Sequence, residues 1–301
     1  MSGALPSGSW SLLGLGLIAW LGYAGILPWS PLADPGVGRS EAHLLAVRSD
    51  NGLQWTGRAE ILARGWSSPD LVQVGGQDWL FVEDGPGLGV ARLAEEGGWR
   101  LTPLKLRGLP PGTASAPSAI VLGDGLVRLY FLFTPEAESA PTEVRSAVQV
   151  EGGAWQVEPG LRVSRSGLQD VDALALYGGG VRLYVVIDDQ LQSMLSDDGI
   201  SFHGEGVIKL EGAPQALSGV MTRAGVYGGY LDRVGSTTRV RSAIAKAGWS
   251  FRPEIRLKFD PVPDIYGADR RYVSLTAAPS GRGWRMVVGL RATGYRSGSG
   301  A

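Results

Sequence analysis

Few side chains in this sequence can do chemistry, and most of those that can are carboxylic acids. Cysteine is absent and only His43 and His203 supply imidazoles. That removes thiol nucleophiles, disulfides and thiolate metal sites, and it leaves no multi-histidine zinc set. His203 follows an aromatic turn, with Glu205 beyond it, on what the pattern makes an outer strand, and it reads as surface. The carboxyl groups of interest stand at the starts of apolar strands: Asp70 after Ser67-Ser68-Pro69, Asp170 and Asp172 within Gln169-Asp170-Val171-Asp172, and Asp264 and Asp269 ahead of Arg270 and Arg271. In such places a carboxyl group can pass protons, or it can cap a turn and bond backbone. For Asp70 and Asp172 both roles stay open at this stage. Glycine-rich runs such as residues 85–89 are turns and not phosphate loops, since no helix begins after them.

The elements that must position these groups follow from a repeat. Five times a tryptophan or phenylalanine closes a short polar turn containing glycine, at Trp55, Trp99, Trp155, Phe202 and Trp249, with intervals of 44, 56, 47 and 47 residues. A period of that length marks stacked or radially arranged units. The clearest copies are SDNGLQW at 49–55 and SDDGISF at 196–202. Here the Asp or Asn is expected to bond its own turn while the ring packs between units. Between turns the order is constant: a strand start marked by Pro or Asp, an apolar strand, a glycine hairpin, and an apolar-aromatic strand such as VRLYFLF at 127–133 or VRLYVVI at 181–187. A further strand often contains Val-Arg-Ser, whose Arg48, Arg145 and Arg241 read as solvated positions. The extra length of the second unit, at 134–142, is a loop insertion.

No helical periodicity is found beyond the first forty-odd residues, whereas alternating and β-branched runs bounded by glycine recur throughout. The fifth unit is a half, from 272 to 291, and the missing half opens the chain at 42–61. Pairing the two halves closes a ring and removes exposed sheet edges. The expected fold is all-β: a five-bladed β-propeller over residues 42–291, with N- and C-terminal strands closing the last blade, preceded by an N-terminal hydrophobic helix and followed by a disordered tail at 292–301.

The composition agrees. Forty-six glycines and 18 prolines in 301 residues, with no collagen-like period, suit short strands and tight turns. A net charge of -1 carries no basic excess, so no nucleic-acid partner is expected. Residues 10–29 are uncharged and mostly apolar, long enough to cross a bilayer as a helix, and Trp10 and Trp29 at its edges suit the two interfaces. A cleaved signal remains the alternative, although the α-amino group is the only positive charge ahead of that stretch. Residues 1–30 are thus a signal or membrane anchor and 31–41 a Pro/Gly linker. The body is expected to be exported, either membrane-anchored through the N-terminal helix or periplasmic or extracellular.

The pattern Ser-x-Asp-Gly-x-x-aromatic, with a Pro/Asp-marked inner strand and a glycine hairpin into an aromatic strand, resembles the five-bladed β-propeller glycosidases. These are the arabinanases, xylosidase/arabinofuranosidases, levansucrases and invertases, and the resemblance spans residues 42–291. The turn is also similar to the Asp-box of sialidases, which however have six blades and an arginine triad. The glycosidase resemblance implies an active site in the funnel at one end of the central channel, where one carboxyl group protonates the leaving oxygen and another activates water. It implies Asp70 as base, Asp172 as acid with Asp170 its alternate, and substrate contacts from Trp66, Ser118, Asp269 and Arg271. Trp66 is equally suited to stacking on a sugar or to the core. No cofactor is implied. A structural calcium ion is allowed by analogy, although no ligand set stands out. The family pattern asks for Asp in blade 2 and Glu in blade 3, where this chain has Ser115 and Ser118, and Asp170 and Asp172. Two readings follow. One is an exported or anchored glycoside hydrolase-like propeller whose partner is carbohydrate. The other is a non-catalytic cell-envelope propeller that binds glycan or an envelope protein. Convergence of Asp70 with Asp170 or Asp172 on one pocket is what the first requires.

Overall fold

The computed structural model describes residues 42–55, 59–94, 98–150, 153–223, 225–234, 237–254, 257–259 and 270–292. The N-terminal apolar stretch, the linker, Asp264, Asp269 and all but Ala292 of the C-terminal tail lie outside the described residues. Within them, the chain forms five sheets arranged as blades, the four blade strands of each antiparallel and in the order expected from the repeat. Blade 1 is built from Trp66–Val74, Gln77–Asp84, Gly87–Leu93 and Trp99–Pro103. Blade 2 uses Gly112–Val121, Val127–Pro135, Thr142–Gln149 and Trp155–Val157, and the short Leu106–Arg107 and Val163–Arg165 also join its sheet. Blade 3 is Leu168–Ala175, Val181–Ile187, Gln190–Ser196 and His203–Val207. Blade 4 is Pro214–Thr222, Gly225–Val234, Thr237–Ala245 and Arg252–Pro253.

Blade 5 takes its two inner strands, Arg270–Ser280 and Gly283–Ala292, from the C-terminal end and its outer strands, Ala42–Ser49 and Glu60–Arg64, from the start of the described chain. The seam is a continuous antiparallel register from Ala42 opposite Arg291 to Ser49 opposite Trp284. A parallel pairing of Gln54–Trp55 with Lys258–Phe259 adds a second link between the two ends. The innermost strands are those that begin at Trp66, Gly112, Leu168, Pro214 and Arg270, and each packs against the innermost strands of the two neighbouring blades, so the ring closes. The second strands are apolar on both faces, with Leu129, Tyr130, Phe131 and Phe133 of blade 2 all buried. A strand sandwiched between two neighbouring blades has no solvent face, which is why these runs do not alternate.

The aromatic turns join the third strand of a blade to its fourth. At 49–55, Ser49 Oγ accepts from Gly52 N–H at 3.0 Å and Asn51 Oδ1 from Leu53 and Gln54 N–H at 2.9 and 3.0 Å. Ser196 and Asp198 repeat these bonds at 196–202. The backbone N–H donors there, led by that of Ser201, hold the Asp198 carboxyl well below the usual carboxylate range. Each of three turns also takes a bond from the blade before it: Tyr130, Tyr184 and Tyr227 donate their hydroxyls to the carbonyls of Gly199, Gly248 and Gly52 at 2.8, 2.6 and 2.9 Å. Arg128 and Arg182, two residues earlier than the first two tyrosines, bond the carbonyls of Asp198 and Ala247. Gly248 lies at φ +80°, and a Cβ there would collide with the Arg182 guanidinium.

Blade 4 corrects one residue of the sequence reading. Trp249 is half exposed, and the ring that packs is Phe251, buried and edge-to-face with Tyr184 at 5.9 Å. Phe251 stands three residues after Gly248, as Trp55 and Phe202 stand after Gly52 and Gly199. Of the Val-Arg-Ser arginines, Arg145 pairs with Glu143 and Arg241 with Asp232, both at 2.7 Å, while Arg48 is exposed. Tyr184→Phe is expected to destabilise the protein by about 1–2 kcal/mol, because the Gly248 carbonyl loses its donor in a buried seam. A urea midpoint lowered at unchanged m-value is the check.

Candidate functional site

All five innermost strands carry an irregularity near their start. The ladder to the second strand shifts between Ser67 and Asp70, Ser115 and Ser118, Leu168 and Asp170, Pro214 and Ala216, and Tyr272 and Ser274. Bulges bend a strand and re-aim the side chains that follow. What they aim here is a belt around the channel. Asp70 Oδ2 accepts from Ala119 N–H of blade 2 at 2.7 Å, Ser118 Oγ from Ala173 N–H of blade 3 at 2.9 Å, and Asp172 Oδ2 from Gly219 N–H of blade 4 at 2.9 Å. Ser218 Oγ accepts from Ala277 N–H of blade 5 at 3.2 Å, and Thr276 Oγ1 from Leu71 N–H of blade 1 at 3.0 Å. Each blade's acceptor binds the amide one residue past the equivalent position in the next blade. Thr276 also donates its hydroxyl to Asp70 Oδ1 at 3.3 Å, completing the circuit.

The belt separates two cavities. On the side where the innermost strands begin lies a funnel of about 160 Å³, and on the other side a channel mouth of about 300 Å³ lined largely by small and aliphatic residues such as Ala119, Leu174 and Val220. Asp70 and Asp172 border both. The funnel also receives Asp170, two residues ahead of its strand's belt position, and Glu83 from the second strand of blade 1. Four carboxyl groups thus converge on it, while no Lys, Arg or His lines it among the described residues. The pKa of Asp70 is pushed up to about 7 by burial, against the pull of its bonds from Ala119 and Thr276. That of Asp170 is also pushed up to about 7, by burial first and then by the charges of Glu83 and Asp70. Asp172 is raised well above the usual range, by burial and then by Asp70. Low-dielectric burial combined with like-charge neighbours is the arrangement that keeps carboxylic acids protonated near neutral pH.

The structure therefore brings together Asp70, Asp170, Asp172 and Ser118, all on the funnel wall. Trp66 is half-buried against the apolar cluster of Leu44, Leu71 and Leu80, away from the lining. Arg271 is exposed near the start of the blade 5 innermost strand and also lies off the lining. Asp269 lies outside the described residues. His203 is exposed on the outer strand of blade 3. Among the described residues no group of three or more His, Asp or Glu side chains could hold a metal ion, so they supply no donor set for the calcium that the resemblance allows.

Two participants escaped the sequence reading. Thr276 was recognisable by its offset, since every belt residue stands five to seven positions before a hairpin glycine. Glu83 carried no such signal, because it sits near the far end of a second strand, opposite Ser67 at the edge of the blade 1 bulge.

Fold and site together define an all-β five-bladed propeller with an acidic funnel. No family model and no curated protein matches the sequence, but solved structures share the fold. A thermostable family-43 glycoside hydrolase superposes at a TM-score of 0.58 with 12% identity, covering 79% of this chain and 96% of its own. The α-L-arabinanase of Cellvibrio cellulosa, solved with arabinohexaose, superposes at 0.53 with 15% identity, over 71% of this chain and 83% of its own. A protein of unknown function from Dyadobacter fermentans superposes at 0.55 with 15% identity, over 86% and 87%. The chain has the five-bladed propeller fold found in these glycoside hydrolases.

Proposed function

We propose that the protein acts on carbohydrate in the funnel, hydrolysing a glycosidic bond by carboxyl acid–base chemistry. One observation carries this reading. In three blades the belt acceptor is a hydroxyl, from Ser118, Ser218 or Thr276, so the staple itself needs no acid; blades 1 and 3 nonetheless place Asp70 and Asp172 there, at the expense of burying ionisable groups. A buried carboxyl group where a hydroxyl suffices for the bond points to a functional site. In this scheme Asp170, which among the described residues holds no backbone of another blade, donates the proton to the leaving oxygen, and Asp70 takes the proton of the attacking water. Asp172 stays protonated and holds blade 4. Serine and glutamine side chains of the lining, such as Ser118 and Gln215, would meet sugar hydroxyls. The N-terminal apolar stretch supports export of the propeller, anchored through that stretch or released after its removal.

A second reading, a non-catalytic propeller that binds a glycan or an envelope protein, is favoured by the engagement of both Asp70 and Asp172 in the belt. Incubation of neutral oligosaccharides with the wild type and with Asp170→Asn, followed by assay of new reducing ends, separates the two. Release by the wild type and not by the variant is expected. Binding without release by either protein would establish the second reading.

A further inference from the structure

We infer that Glu83 is the positioning residue of this funnel: it clamps the proline-containing bulges of blades 1 and 2 to each other and presents its carboxylate to the cavity that Asp170 lines. Glu83 Oε1 accepts from Ala116 N–H of blade 2 at 2.6 Å, and Oε2 accepts from Ser67 Oγ of its own blade at 3.0 Å. Ser67 borders one of the two widest bulges in the ring, and Ala116 lies within the other. In blades 1 and 2 the pairs Ser68-Pro69 and Ala116-Pro117 fall out of the ladder, whereas blades 3, 4 and 5 each skip one residue.

Those two bulges are also strained. Ser68 and Ala116 sit at φ 46° and 44°, in the left-handed region, and each precedes a proline. A residue with a Cβ is disfavoured there, and a following proline biases it further toward extended backbone. Conformations of this kind persist only where the surroundings over-determine them. Glu83 supplies that restraint for the blade 2 bulge directly, through the Ala116 amide, and for the blade 1 bulge through Ser67. Two residues beyond the strained positions stand Asp70 and Ser118, the belt acceptors of those blades. The bulge geometry decides whether they reach Ala119 and Ala173.

The carboxylate has a second consequence. The titratable groups around Asp170 are Glu83, Asp70 and Asp172, with no cation among the described residues lining the funnel. The charge of Glu83 therefore raises the proton affinity of Asp170. The inference rests on the hydrolase reading only in making Asp170 the proton donor; the clamp and the charge stand without it.

The test uses Glu83→Gln, which keeps an acceptor for Ala116 and removes the charge, and Glu83→Ala, which removes both. Carbon-13 NMR of labelled aspartate follows the titration of Asp170, and native-state hydrogen exchange follows the Ala116 amide; neither readout needs a substrate. Glu83→Gln is expected to lower the Asp170 midpoint by about half a unit or more with Ala116 still protected. Glu83→Ala is expected to speed exchange at Ala116 by roughly tenfold or more. An Asp170 midpoint unmoved in Glu83→Gln, or an Ala116 amide still protected in Glu83→Ala, would overturn the proposal. Should Glu83→Ala not fold, the Glu83→Gln titration decides it. Failure of glycan cleavage in the wild type would instead strike the hydrolase reading and leave these readouts intact.

Discussion

Asp70→Asn is expected to stabilise the protein at pH 8 by roughly 2–4 kcal/mol and to change it little at pH 4. The Asp70 carboxyl is buried and its pKa lies near 7 in the folded protein, against 3.8 for the free side chain. A group that binds its proton more tightly when folded favours the folded state fully below about pH 4. That contribution fades as the pH climbs from about 4 to 7, and it is gone above the folded pKa. Asn does not ionise, so its contribution has no such slope. The substitution keeps an oxygen for the Ala119 amide, and the new amide nitrogen can donate to Thr276 Oγ1, which leaves the belt bonded. For a chain of this size the shift corresponds to roughly 5–15 °C in Tm. Calorimetry of both proteins at pH 4, 6 and 8 measures it. The wild type should lose stability over that range and the variant should lose less; parallel curves would mean that Asp70 does not bind its proton more tightly in the folded protein.

A residue whose removal stabilises a protein is kept for another reason, and this links the belt to function. Ser118, Ser218 and Thr276 are the internal comparison, since they occupy the same position and make the same bond to the next blade without an ionisable group. Stability lost to keep an acid in an enclosed place is a common feature of active sites. The two roles considered for Asp70 from sequence, backbone bonding and proton chemistry, are compatible in this geometry: Oδ2 holds the Ala119 amide, and Oδ1, whose bond from Thr276 is the longer at 3.3 Å, is the oxygen that would exchange a proton with the cavity.

The architecture was legible because a propeller repeats its local chemistry. The turns SDNG and SDDG bond their own backbone in both copies, and the half-unit at each end of the 42–291 region announced the closure that joins Ala42–Ser49 to Gly283–Ala292. Even VRLY, read only as a strand, was a second periodic device: its Arg and Tyr bond the following blade's turn. Trp249 shows where such reading slips. The sequence offers two aromatic residues after Gly248, and the choice between them depends on which one faces Tyr184 of blade 3, a contact made across some 65 residues of chain. The site was less legible for the same reason. Asp70, Asp170, Asp172 and Ser118 could be named from their place at strand starts. The contribution of Glu83 arises from bulges that skip two residues, a feature of three-dimensional register that no spacing in the sequence encodes.

The second large effect concerns catalysis. Under the hydrolase reading, Asp170→Asn should lower kcat/KM for the cleaved glycan by about 10²–10⁴, the range general acid catalysis supplies, while glycan affinity is retained. Asp170 must carry its proton to act as acid, so wild-type activity should fall as the pH rises through about 7. The variant's residual activity should lack that descending limb. Asp70, the base of the scheme, titrates in the same region, so the two limbs belong to the pair; Asp70→Asn should also lose activity, together with the limb that rises with pH, and Asp170→Asn should abolish the falling limb. Loss of folding offers no rival account, because Asp170 is half-buried and removing its charge is expected to raise stability at neutral pH slightly, in the same direction as Asp70→Asn. Comparison of pH–rate profiles and Tm for the two variants then decides the role of each acid. A variant that is more stable and inactive marks a catalytic carboxyl group, and the limb it loses tells acid from base, whereas an Asp170→Asn protein that cleaves at the wild-type rate removes Asp170 from the chemistry.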